Sequence, residues 1–187
     1  MQNNLYDYDI LCAIDVGLTG AIAFFDVGST ELLSVTQMPT TLSTKKTKSG
    51  KDKYELDIEK LRFAMDIPRN HGDTCLVVIE DVHAFPGQGV VSVGTLLEQK
   101  GVIRGIASAF GYSLEMVSPK TWQAHFQILP PKDMKNKVKR KAWLKDKSRE
   151  VATSNFPEFS QSFSKLSDHG KSDAVLIGAW ALEELCT

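Results

Sequence analysis

Apolar residues run unbroken over positions 10–14 and again over 76–79, and each run closes on a carboxylate, Asp15 and Glu80. Stretches like these predict strands buried on both faces. Gly17 and Gly20 predict a tight turn after the first run. Residues 21–27 and 32–38, joined around Gly28 and Ser29, predict two more strands and an antiparallel meander. Residues 40–53 are rich in Thr, Lys, Ser and Gly and show no apolar face, which predicts a mobile loop. Asp57 is placed to cap a helix carrying Ile58, Leu61 and Met65 and ending near Pro68. A loop is predicted over 84–91, where Pro86, Gly87 and Gly89 fall. Residues 92–110 predict a long helix whose apolar positions, among them Leu96, Leu97, Ile103 and Ile106, cover more than one face. A short strand over 113–117 follows, then a helix opened by Pro119 and holding Trp122 and Phe126. Pro130 and Pro131 break the chain before helices over 143–156 and 174–185. The order predicts a mixed α/β sheet with helices on its faces.

With 187 residues, 42% hydrophobic and 24% charged, the chain predicts a single domain spanning 1–187 that buries a core without covalent staples. No apolar run is long enough to span a bilayer, which predicts no membrane partner. Residues 1–9 carry Asp7 and Asp9 and no basic residue, unlike a secretory signal. The three cysteines, Cys12, Cys75 and Cys186, read as reduced thiols, and the expectation is a cytoplasmic protein.

The net charge of −1 hides a strong segregation. Residues 45–53 hold five lysines against Asp52, and residues 132–149 hold nine cations against Asp133 and Asp146. Two solvated surfaces would account for this, but Trp143 interrupts the second run as a stacking ring would, so that run points to nucleic acid.

Asp173 adds a third carboxylate to Asp15 and Glu80. It shares the i, i+3, i+4, i+7 stripe of Leu176, Ile177 and Trp180, so it faces the way the helix packs. Each acid alone has a local explanation: a turn residue, a strand end, a charge favoured by the helix dipole. Three converging on one sheet edge would raise one another's pKa unless a cation lay between them. Hard oxygen donors in that number favour Mg²⁺, with Mn²⁺ as a substitute. Two ions about 4 Å apart can clamp a phosphodiester. Asp168 is placed to cap a helix, and the adjacent His169 reads as a surface histidine, a metal ligand or a proton carrier.

These residues resemble the RuvC-type Holliday-junction resolvases. The likeness rests on Ile14-Asp15-Val16-Gly17, Val78-Ile79-Glu80 and His169-Gly170-Lys171-Ser172-Asp173-Ala174. It is supported by residues 82–89, 117–122 and 146–149, and by Phe156-Pro157. It runs from about residue 9 to 184 and is nearest to the branch of tailed phages and related chloroplast enzymes, so a phage-encoded protein would act in the host cytoplasm. The resemblance implies an RNase H-like, five-stranded mixed sheet with its first three strands antiparallel. It also implies a homodimer and paired Mg²⁺-dependent nicks in four-way, and by extension other branched, DNA, serving recombination or repair.

By the resemblance, catalysis falls to Asp15, Glu80, His169 and Asp173, and metal binding to Asp15, Glu80, Asp168 and Asp173. Asp168 and His169 both remain open for the fourth position, since many relatives carry an acid directly before the glycine of the last motif. The loop after the central Glu lies near the junction centre in this family, which nominates His83 and Phe85. Lys120, Lys139, Arg140, Lys141, Lys147 and Arg149 are the further DNA-binding candidates. Asp15-Val16-Gly17-Leu18-Thr19-Gly20 also resembles the phosphate turn of actin-like and sugar-kinase-like ATP-binding proteins, whose two subdomains exceed this length. A catalytically silent junction-binding protein is the remaining alternative.

Overall fold

The computed structural model describes residues 5–46, 49–83 and 89–185. Its main sheet contains β1 (Ile10–Asp15), β2 (Ala21–Asp26), β3 (Leu32–Gln37), β6 (Cys75–Glu80) and β7 (Ser113–Val117), in the order β3-β2-β1-β6-β7. The first three strands form the expected antiparallel meander, and β6 and β7 run parallel to β1. The two unbroken apolar runs are thus the two central strands. Leu11, Ala13, Leu76 and Val78 enter one core layer, while Ile10, Cys12, Ile14, Cys75, Val77 and Ile79 enter the other.

The first layer is covered by α4 (Pro119–His125), α5 (Lys137–Asn155) and α6 (His169–Glu184), and the second by α1 (Ile58–Met65) and α3 (Val90–Ala109). Cys12 and Cys75 are buried free thiols in the second layer; burial raises both, Cys75 to about 12. Cys186 lies outside the described residues. No helix among the described residues is long and apolar enough to cross a membrane.

Four boundaries differ from the sequence expectation, each for a local reason. The 40–53 loop hangs from a two-stranded hairpin of β4 (Thr40–Leu42) and β5 (Tyr54–Leu56), each too short to show a period. Pro68 does not end α1; it sits in the first turn of a separate α2 (Ile67–His71), where a missing N–H is harmless. Helix α5 starts at Lys137 rather than 143, because Asn136 Oδ1 accepts the N–H groups of Val138 and Lys139 at 3.0 and 3.1 Å. Its first turns hold only Val138, exposed, and Ala142 among basic residues, so no apolar stripe announced them. Helix α6 starts at His169 rather than 174, which places Asp173 in its second turn.

Candidate active site

Strands β1 and β6 pair in parallel with Ile14 opposite Ile79, so Asp15 and Glu80 follow as the next residues of adjacent strands. Side chains alternate along a strand. Asp15 therefore shares the face of Leu11 and Ala13, and Glu80 that of Leu76 and Val78. Both carboxylates emerge where α4, α5 and α6 cover the sheet.

The start of α6 brings the third acid to them. Lys165 N–H donates to Asp168 Oδ2 at 3.0 Å, and Lys171 Nζ lies 3.2 Å from Oδ1, so both Asp168 oxygens are engaged in turning the chain into the helix. Burial works to raise the Asp168 carboxyl, but the Lys165 and Lys171 partners outweigh it and the net shift is downward. His169 and Asp173 stand one turn apart on the same side of α6. Close packing holds that turn: a Cβ on Gly170 would lie 2.1 Å from the Thr19 carbonyl oxygen, and one on Gly20 2.1 Å from that of Asp15. Glycine at 170 lets α6 rest directly on the β1–β2 turn, and glycine at 20 lets that turn close against Asp15.

The three acidic residues are half-buried. Burial drives Asp15 well above the ordinary carboxylate range; Glu80 and Asp173 add to the rise and Lys145 opposes it. Burial raises Glu80 as well, partly countered by a hydrogen bond from Trp122 Nε1 to Oε1 at 3.1 Å. Burial pushes Asp173 up to about 7, against a hydrogen bond from Ser148 and the charge of Lys145 and with the repulsion of Glu80. Asp173 Oδ1 is buried with no partner, as is His169 Nδ1. Burial lowers His169, and the cations Lys145, Lys141 and Arg149 lower it further, while a bond to the Ser167 backbone opposes them.

A divalent cation answers this arrangement chemically. It would supply the charge that three buried acids lack and take up the orphaned Asp173 oxygen. Asp15, Glu80 and Asp173 are the residues that would hold it. Among the described residues, however, no three acid, imidazole or thiol groups are placed to ligate one ion as they stand. Asp168 is committed to its own helix start.

The proposed DNA-contacting residues divide. Lys120, Lys139, Arg140 and Lys141 are exposed. Lys147 pairs with Glu150 at 2.7 Å. The Arg149 guanidinium pairs with Asp146 at 2.7 Å and reaches the carbonyls of Phe163 and Ser164 at 3.5 Å, so both of these cations are engaged within the protein. His83 is exposed and its Nε2 lies 2.8 Å from Asp81 Oδ2. Phe85 lies outside the described residues. Three neighbours of the acids were not singled out from sequence: Trp122, Ser148 and Lys145. Lys141, Lys145, Ser148 and Ala152 form an i, i+4, i+7, i+11 row on α5, a signal visible only once Asn136 is known to start the helix.

The chain is similar in structure to T. thermophilus RuvC in complex with a Holliday junction substrate. The TM-score is 0.52 at 10% sequence identity, covering 93% of this chain and 95% of that one. The chain has the RuvC-type fold. Two further structures show weaker likeness: T. thermophilus RuvC, TM-score 0.42 at 12% identity over 93% of this chain and 95% of that one, and the yeast mitochondrial Holliday junction resolvase Ydc2, TM-score 0.47 at 15% identity over 92% and 77%. No protein-family model and no curated protein matches the sequence. Within this fold, Asp15, Glu80 and Asp173 share one end of the central strands of the five-stranded sheet.

Proposed function

We propose that the protein is a metal-dependent endonuclease that resolves four-way DNA junctions by paired nicks. The observation that carries this reading is the meeting of Asp15, Glu80 and Asp173 at one edge of a RuvC-type sheet, with the buried Asp173 Oδ1 unpartnered. Mg²⁺, or Mn²⁺ in its place, would activate water and stabilise the leaving oxygen of a phosphodiester, two ions serving both ends of the displacement. Asp15 and Glu80 hold fixed positions because adjacent parallel strands set them, and Asp173 because Gly170 seats α6 against the β1–β2 turn. His169 is the better choice than Asp168 for the fourth position. It stands one helical turn before Asp173, burial biases its imidazole to the neutral form, and its buried Nδ1 has no hydrogen-bond partner. Exposed cations of α5 and Lys120 bind phosphates without reading sequence.

The protein acts as a homodimer in this reading. Gly94, Leu97, Gly101, Arg104, Gly105 and Ser108 form an exposed stripe along α3, and a Cβ at any of its three glycines would meet nothing within 4 Å. A second copy related by a two-fold axis suits a junction of near two-fold symmetry.

Mixing the protein with a synthetic four-way junction, a Y-shaped DNA and a linear duplex, with and without Mg²⁺, tests the proposal. Paired nicks confined to the branched substrates support it. Junction binding without nicking supports a silent binder, and stabilisation by ATP supports the actin-like alternative.

A further inference from the structure

Trp122 is fully buried, yet its only polar atom is turned toward the acids: Nε1 donates to Glu80 Oε1 at 3.1 Å. The local chain dictates this placement. Glu80 on β6 is the register partner of Val117 on β7, and the Asp81 N–H bonds the Val117 carbonyl at 2.7 Å. The chain turns into α4 at once. Ser118 caps it, accepting the Thr121 N–H at 3.2 Å, and Pro119 fills the first turn. One turn later Trp122 is carried back over the end of β6. Its ring is held by the core layer that contains Val117, Ile128 and Leu76, so the N–H has little freedom to seek another acceptor.

An indole N–H can only donate, so it can hold a carboxylate oxygen and cannot compete with it for a cation. Glu80 Oε2 bonds to nothing among the described residues. The carboxylate therefore presents one oxygen held by protein and one left open. At Asp173 too one oxygen, Oδ1, is left unpartnered.

We infer that Trp122 is a positioning residue that fixes the orientation of the Glu80 carboxylate for divalent-cation binding. This rests on the metal-site reading above. A purely apolar ring at position 122 would fill the same space; what distinguishes tryptophan there is the bond to Glu80. Groups that orient a ligand from behind commonly change metal affinity about ten- to a hundredfold when removed.

The test compares Mn²⁺ binding by calorimetry in the wild-type protein and in Trp122→Phe, with circular dichroism and melting curves taken alongside. The expected result is a folded variant whose dissociation constant for Mn²⁺ rises about tenfold. Its junction affinity without metal should stay within about twofold, since phosphate contacts come from other residues. A folded variant that binds Mn²⁺ as the wild type does overturns this inference and leaves the metal site standing. A wild-type protein that binds no Mn²⁺ overturns both. Should Trp122→Phe fail to fold, the indole N–H resonance of Trp122 in the ¹⁵N-labelled wild type decides, assigned by way of Trp143→Phe and Trp180→Phe. Saturating Mg²⁺ should move that resonance far more than those of Trp143 and Trp180; an unmoved resonance under saturating Mg²⁺ overturns the inference.

Discussion

Asp15 and Glu80 stand side by side at the ends of two parallel strands, one residue beyond the paired Ile14 and Ile79, and both point into the layer that α6 covers. The geometry is set by backbone hydrogen bonds, so replacing either side chain leaves the strands in place. Asp15→Asn, Glu80→Gln and Asp173→Asn should each reduce junction cleavage by at least about a hundredfold, the effect of misplacing a reacting group by an ångström. Binding to the same junction should be retained or strengthened. Gel-shift and cleavage assays on one junction check both halves, and a variant that nicks at near the wild-type rate removes that residue from the site.

The raised pKa of Asp173, about 7, has a definite consequence for stability. Burial is the main cause, so the folded state holds this proton more tightly than the unfolded chain does. As pH rises from about 4 to 7 the unfolded chain ionises first, and metal-free stability falls through that window. Asp173→Asn removes the share of this dependence that Asp173 contributes, while the raised Asp15 and Glu80 keep theirs. It should therefore stabilise the metal-free protein little at pH 4 and most above pH 7, by on the order of 4 kcal/mol. Melting curves in chelator across that range check the sign, and added Mg²⁺ should stabilise the wild type more than the variant.

The cations of α5 should separate by partner. Charge reversal at the exposed Lys139, Arg140 and Lys141 should weaken binding to any DNA and flatten the log-log salt dependence by about one unit for each lost contact. Arg149 is bonded to Asp146 and to two backbone carbonyls. Arg149→Ala should instead lower stability by about 1 kcal/mol and leave the salt slope unchanged. Filter binding at several salt concentrations, with melting curves, distinguishes the two classes.

Gly170→Ala places a methyl group against the Thr19 carbonyl and the Gly20 backbone, neither of which is a flexible side-chain end. Helix α6 must move, and Asp173 with it. The expected cost is about 2 to 3 kcal/mol of stability together with lost cleavage. Denaturant titration measures the first, and a variant as stable as the wild type would mean that the turn relaxes freely.

Within one chain a Cβ at Gly105 on α3 would meet no atom within 4 Å. Gly105→Leu should therefore keep the monomer fold, with unchanged circular dichroism, and shift sedimentation from the proposed dimer toward monomer. Unaltered self-association would remove this face from the subunit contact.

Much of this was legible in the sequence. The five sheet strands follow from unbroken or alternating apolar runs, since burial on one or both faces of a sheet leaves a period of one or two residues. The carboxylates at the ends of the runs stood out because such positions ordinarily favour apolar residues. Short strands and polar helix turns were hidden, because three residues hold no period and a helix with no apolar stripe shows none. The start of α6 was hidden for a related reason: it is fixed by the Asp168 carboxylate accepting the Lys165 N–H, a hydrogen bond rather than a pattern.

The sequence by itself determined which residues are acidic, which are basic and which strands are buried, because these depend on local composition and spacing. The tertiary structure decided which of them meet. The parallel register of β1 and β6 brings together Asp15 and Glu80, 65 positions apart in the chain. The contact of Gly170 with the β1–β2 turn brings in Asp173. The same packing binds Trp122 to Glu80, turns Arg149 inward and commits Asp168 to its helix. Such pairings are long-range and depend on how helices seat on a sheet. Local spacing carries no record of them.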